Sequence, residues 1–125
     1  WRGTVGLIGQ VTVEKMVNEF GCRREDIIAA IGPCIGKCCY EVDDPVYDGL
    51  VKLPINLDGA VFPKGDGHYM LDLAEVNRRI LVTSGIKAEN IDVADLCTCC
   101  NASELHSHRA TAGERGNLAA IIELV

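Results

Sequence analysis

Seven cysteines and three histidines are the residues of this 125-residue chain best suited to chemistry. The thiols fall into two clusters, Cys34-x3-Cys38-Cys39 and Cys97-x-Cys99-Cys100, with Cys22 apart. Thiolates bind soft metal ions, and His106 and His108 could add nitrogen ligands. The spacing departs from the two paired Cys-x2-Cys units of common zinc modules, although Cys97-Thr98-Cys99-Cys100 contains one such unit. The simpler alternative, and the one the spacing favours, is buried cysteines acting as small hydrophobes. A thiol beside His108 could also form a nucleophilic thiolate–imidazolium pair.

Arginine offers a second chemistry. A guanidinium is always charged and grips phosphate through two parallel hydrogen bonds. Arg2 and Arg109 are the candidates for an anion site. Arg2 sits beside Trp1 and Gly3, just before a predicted helix, where free backbone N–H groups favour an anion. His106, Ser107 and His108 read as a strand, which puts both imidazoles on one face. For His108 a ligand or acid–base role stands beside a structural one. His106 reads as structural and His68 as a surface residue.

These groups need elements to hold them. Val5, Ile8, Met16, Val17 and Phe20 recur at helical spacing, and Gly21 is a good stop, so one helix is expected over 4–20. Gly6 and Gly9 inside it point to close packing or close approach of a ligand. Asp26 to Ile31 reads as a buried strand ending at Gly32-Pro33. Asp44-Pro45 starts a short helix with Val46, Leu50 and Val51 on its apolar face. A hairpin is expected from Val61-Phe62 through Pro63–Gly67 to His68–Leu71. Asp72 and Glu75 form a capping box for a helix that buries Leu73, Val76, Ile80 and Leu81 and stops at Gly85. Ile91 to Leu96, His106 to Arg109 and Leu118 to Val125 read as strands. The order is that of a mixed α/β or α+β fold.

Hydrophobic residues make up 48% and charged residues 24%, ordinary values for a globular protein. The net charge of -6 argues against a nucleic-acid coat or a basic membrane patch, but not against a local arginine pocket. No apolar run approaches the ~20 residues of a membrane-spanning helix. No basic stretch followed by an apolar core, the pattern of a signal peptide, is visible in the sequence. Adjacent cysteines fit disulfide geometry poorly. The thiols are therefore expected to be reduced, in a cytoplasmic protein.

Five segments, in chain order, resemble one family. They are Trp1-Arg2-Gly3-Thr4, the run from Ala30 to Val42 that includes Gly32-Pro33-Cys34-Ile35-Gly36-Lys37-Cys38-Cys39-Tyr40-Glu41, Leu71-Asp72-Leu73-Ala74-Glu75-Val76-Asn77-Arg78, Cys97-Thr98-Cys99-Cys100, and Ser107-His108-Arg109. They look like the laccase-domain family, known as multicopper polyphenol oxidase-like and also as purine nucleoside phosphorylase. The resemblance spans the whole chain. It implies a mixed β-sheet sandwich flanked by helices, similar to the cytotoxic-necrotizing-factor type of cysteine hydrolase. It implies phosphorolysis of inosine, adenosine or methylthioadenosine, with adenosine deamination as a side activity.

The resemblance also implies a zinc ion held by two histidines and one cysteine. Their Val-His-Gly, Ala-Asp-Cys and His-Ala-Gly segments would precede Trp1, so this chain would contribute no metal ligand. It would be a single domain over 1–125, the C-terminal part of a larger protein, and would need its N-terminal half or another chain for stability. Arg2 would be catalytic, and Arg2, Arg109 and His108 would bind substrate or phosphate. The family pattern after Ser-x-Arg has a further Arg and an Asp, where this chain has Ala110 and Thr111, and a later Gly-Arg, where it has Gly116-Asn117. Two other functions compete. One is a copper polyphenol oxidase, for which three histidines are too few. The other is a non-catalytic, cysteine-rich metal-binding module.

Overall fold

The structure, a computed structural model, describes residues 1–123. The elements are α1 (Arg2–Val5), α2 (Ile8–Phe20), β1 (Ala29–Ile31), β2 (Glu41–Asp43), α3 (Asp44–Leu50), β3 (Val61–Gly65), β4 (His68–Leu71), α4 (Leu73–Thr83) and β5 (Ile91–Val93). Single 3-10 turns at Arg24–Asp26 and Ala88–Asn90 lead into β1 and β5. The fold is mixed α/β. β1 and β5 pair in parallel, and β2, β4 and β3 form an antiparallel sheet in that order.

The expected first helix is two helices. Gly6 ends α1, and Leu7 adopts a left-handed conformation (φ 53°) at the start of α2. A left-handed residue cannot continue a right-handed helix, so the chain turns there. Gly9 has the packing role expected of it, because a Cβ would lie 3.3 Å from Leu81 of α4. At the other end, Gly21 (φ 69°) stops α2.

The strand read over 26–31 is shorter and less buried than expected. Only Ala29–Ile31 pairs, and Ile28 is 80% exposed. The hairpin turn narrows to Asp66-Gly67, both at positive φ, as a two-residue turn requires. Pro63 is tolerated because β3 is an edge strand. The N-cap position of α3 is Asp43, one residue earlier than expected, and its side chain makes no capping hydrogen bond. The Asp72 carboxylate accepts the Glu75 backbone N–H at 3.1 Å, as the capping box predicts. The strand expected at Leu118–Val125 is absent over 118–123, and its last two residues lie outside the described range.

The main core joins α3, the antiparallel sheet and α4 through Leu50, Leu71 and Val76, all fully buried, with Val46, Ala60 and Ile80 beside them. A second cluster of Val13, Ile27 and Ile86 packs α2 near the start of β1. No helix is long and apolar enough to cross a membrane among the described residues.

On α4, Glu75 receives the Arg78 Nε at 2.7 Å and the Arg79 Nε at 2.7 Å, while Arg79 Nη1 reaches the carbonyls of Asn56 and Asp58. The Arg78 hydrogen bond, with Arg79 adding to it against burial, holds the Glu75 carboxyl down at about 2. A depressed carboxyl pKa stabilises the fold fully above the ordinary value of 4.5, and that stability is lost as pH falls toward about 2. Glu75→Gln is expected to lower stability by about 1–2 kcal/mol at neutral pH, after allowing for partial exposure. Urea denaturation of both proteins across pH 7 to ~2 checks this. The gap should close in acid, and a pH-independent gap would contradict the assignment.

Candidate functional site

Arg2 is held in place by α1. Thr4, two residues on, is buried and donates its hydroxyl to Asn77 Oδ1 at 3.1 Å, and Asn77 Nδ2 donates to the Leu73 carbonyl at 2.8 Å. Val5 packs on Gly49, where a Cβ would approach within 3.1 Å. α1 is thereby fixed to α3 and α4. The Arg2 guanidinium lies 5.0 Å from the centre of the Trp1 ring, a cation–π contact.

The loop after β1 supplies a second wall. Gly36 accepts the backbone N–H groups of Cys39 and Tyr40, which makes a tight turn and sends the chain into β2. Tyr40 and Glu41 then face Arg109. The Arg109 guanidinium is 5.7 Å from the Tyr40 ring centre, and its Nη2 donates to the Glu41 carbonyl at 3.1 Å. Arg109 and Arg2 both pull the Tyr40 phenol pKa down, though burial outweighs them and raises it.

Arg2, Tyr40, Glu41, Lys64, His108 and Arg109 line one open cleft of about 1110 Å³. Lys64 hydrogen-bonds the Glu41 carboxylate, and His68 Nδ1 lies 3.3 Å from its other oxygen. The Lys64 hydrogen bond and charge, together with His68 and Arg109, hold the Glu41 carboxyl below its usual range. Glu41 thus engages one cation of the cleft, while no carboxylate among the described residues forms an ion pair with Arg2 or Arg109. Glu41, Lys64 and His68 were not singled out for this cleft by sequence. They converge only because Glu41 and His68 lie on paired strands, β2 and β4, with β3 carrying Lys64 alongside.

The strand expected at His106–Arg109 is instead a pair of turns. The Ser107 carbonyl accepts the Thr111 hydroxyl and backbone N–H, and Ser107 Oγ accepts the Ala110 N–H. Such local bonds compete with strand pairing. The two imidazoles consequently part. His108 lines the cleft, whereas His106 Nδ1 accepts the Gly116 N–H at 3.4 Å.

The cysteines also regroup. Cys38, Cys39, Cys97 and Cys100 place their sulfurs within 4.8 Å of one another, without a histidine, at the edge of the cleft. This cluster could hold a metal ion. Cys38 and Cys39 each lie 3.5 Å from Cys100. Burial pushes the Cys97 thiol up, but the Gly36 and Cys100 backbone N–H groups and the Cys38 and Cys100 thiols outweigh it and bring it down to about 6. Hydrogen bonding to the other thiols, Cys100 foremost, pushes Cys39 up. Cys34, raised by burial, stands outside the group and pairs through its backbone with Cys97. The sequence favoured structural thiols in two clusters. What it did not reveal is that Cys38-Cys39 would face a Cys-x2-Cys unit 58 residues away in sequence.

With this geometry in hand, likeness to known proteins places the chain. All of residues 1–125 match the family described as Multi-copper polyphenol oxidoreductase laccase, and the chain belongs to that family. It is 41% identical over 122 residues to "Purine nucleoside phosphorylase YlmD" of Bacillus subtilis (strain 168), covering 98% of this chain and 44% of that one. It is 37% identical over 110 residues to "Adenosine deaminase RL5" of an unknown prokaryotic organism, covering 87% of this chain and 42% of that one. The crystal structure of Bacillus licheniformis hypothetical protein YfiH superposes with a TM-score of 0.89 at 43% identity, over 93% of this chain and 44% of that chain. The chain thus spans less than half the length of the relatives it matches here.

The Cys97 environment is directly testable. In chelator, iodoacetamide labelling of Cys97 followed by mass spectrometry should rise with pH around a midpoint of about 6. A midpoint near the ordinary thiol value of 9.0 would show that the Gly36 and Cys100 N–H groups do not act on this sulfur.

Proposed function

We propose that this chain forms one half of a zinc-dependent purine nucleoside phosphorylase and supplies the phosphate-binding wall of its active site. The observation that carries the reading is the cleft that Arg2, Tyr40 and Arg109 line together, with no carboxylate ion-paired to either arginine among the described residues. The name of the Bacillus subtilis relative supports the phosphorylase class, and that of the relative called adenosine deaminase supports the side activity. Inosine, adenosine and methylthioadenosine are the proposed nucleosides, with adenosine deamination as a side activity.

In phosphorolysis a phosphate oxygen bonds to C1′ of the ribose as the bond from C1′ to the purine nitrogen breaks. The products are ribose 1-phosphate and the free base, which takes up a proton. The protein must hold a dianion against a sugar that becomes electron-poor at C1′. Arg2 and Arg109 do this by bidentate hydrogen bonds and by charge. Arg2, fixed through Thr4 and Asn77, is the proposed catalytic cation. His108, exposed in the cleft, contacts phosphate or sugar as a hydrogen-bond donor. Ala110, Thr111 and Asn117, where the family pattern has charged residues, leave these groups as the main phosphate contacts.

The described residues do not offer the two-histidine, one-cysteine set expected for the zinc. His108 lines the cleft and His106 does not, and the only group of three or more metal-binding side chains among the described residues is entirely thiol. No step is therefore assigned to a metal on this chain. The ligands of the proposed zinc, and the cover for the exposed Phe20 (76%) and Ile28 (80%), belong to the proposed N-terminal half of the protein or to another chain. The proposed setting is a cytoplasmic enzyme with a mixed-sheet sandwich fold similar to the cytotoxic-necrotizing-factor type of cysteine hydrolase.

The test is turnover of inosine by the full-length protein. Hypoxanthine and ribose 1-phosphate should appear only when phosphate is present. Arg2→Ala should raise the KM for phosphate about 10–100-fold, with a smaller change for inosine. Phosphate-independent release of base, or oxidation of a phenol with copper bound, would overturn the reading in favour of a hydrolase or a polyphenol oxidase.

A further inference from the structure

We propose that Cys38, Cys39, Cys97 and Cys100 form a closed four-thiolate zinc site that ties the loop after β1 to the loop after β5. Three observations carry this. First, all four sulfurs lie within 4.8 Å of one another, and two of their separations are 3.5 Å. A tetrahedral zinc with bonds of about 2.3 Å needs sulfurs about 3.8 Å apart, so small shifts of the existing side chains suffice. Second, the two loops are already joined. Thr98 N donates to the Cys34 carbonyl at 3.0 Å, and within the second loop Asn101 returns both its backbone N–H and its Nδ2 to the Cys97 carbonyl.

Third, the surroundings suit thiolate ligands. The Gly36 N–H donates to Cys97 Sγ at 3.2 Å, the kind of outer contact that orients a metal ligand. Gly36 also leaves room for the group, because a Cβ there would lie 3.2 Å from the Cys97 Cβ and 3.4 Å from Cys38 Sγ. Crowded thiolates repel one another, and a divalent ion removes that repulsion. Four soft sulfur donors in tetrahedral reach favour zinc.

The ligand set differs from the two-histidine, one-cysteine set expected for the catalytic ion. It leaves no open coordination position, so the ion is structural. Its effect falls on the cleft all the same. Cys39 adjoins Tyr40 and Glu41, and Cys97–Cys100 precedes the turns that carry His108 and Arg109. A zinc here fixes the spacing of the two walls.

The experiment uses the full-length protein purified under reducing conditions, stripped with chelator and reloaded with zinc or cobalt(II). The parent should bind one ion more than its Cys97→Ser, Cys100→Ser variant. The cobalt form should show a thiolate-to-metal charge-transfer band and the visible bands of a tetrahedral site. Zinc should protect Cys38, Cys39, Cys97 and Cys100 from alkylation while Cys22, Cys34 and Cys99 react. A Cys97→Ser, Cys100→Ser variant should lose the bands, and Cys99→Ser should keep them. Gly36→Ala, which removes no ligand but crowds Cys97 and Cys38, should weaken zinc about 10-fold. Equal alkylation of all seven thiols with and without zinc, or an octahedral cobalt spectrum, would overturn the proposal. Both readouts come from the parent chain and do not depend on how a variant folds. Neither depends on nucleoside turnover, so this proposal and the phosphorylase reading fail separately.

Discussion

The site depends on one parallel pairing. β1 and β5 align Ala29 with Ile91 and Ile31 with Val93, and the pairing resumes beyond Gly32-Pro33 as an isolated bridge between Cys34 and Cys97. Pro33 has no N–H to continue the ladder. From Ile31 to Cys34 is three steps and from Val93 to Cys97 is four, so the β5 side carries one extra residue. The two chains leave this bridge side by side. One turns at Gly36 into Tyr40 and Glu41, and the other turns at Asn101 toward His108 and Arg109. The cleft and the thiol cluster are both consequences of that parallel exit.

α4 provides the second constraint. It is capped by Asp72, braced by the Glu75 pairs with Arg78 and Arg79, and presents Asn77 to Thr4. Through Asn77 a helix far along the sequence sets the position of Arg2. The segment Leu71–Arg78 therefore acts on the cleft mainly through support, with its polar residues spent on caps, ion pairs and α1.

Local signals in the sequence were legible where local physics decides the structure. The Asp72 cap, the Asp66-Gly67 turn, the Gly21 stop and the mixed α/β order follow from caps, turn residues and periodicity. The break at Leu7 did not, because Val5 and Ile8 keep helical spacing across it. The turns at His106–Arg109 were hidden behind an alternating pattern that Ser107 and Thr111 undo through their own hydrogen bonds. The sequence marked Arg2, His108 and Arg109 individually, and all three line one cleft. Glu41, Lys64 and His68 join them through strand pairing that single residues do not announce. The thiols were visible as two clusters, but their union across the Cys34–Cys97 bridge is a tertiary fact.

The cleft reading rests on Arg2 and Arg109 acting as one anion site. A phosphate titration of the isotopically labelled protein, followed by two-dimensional amide and guanidinium NMR, tests it most directly. Saturable shifts should appear at Arg2, at Tyr40 and Glu41, and at His108 and Arg109, with a common dissociation constant. Shifts confined to other basic residues such as Lys87 or Lys52, or independent constants at Arg2 and Arg109, would contradict a single phosphate site between them.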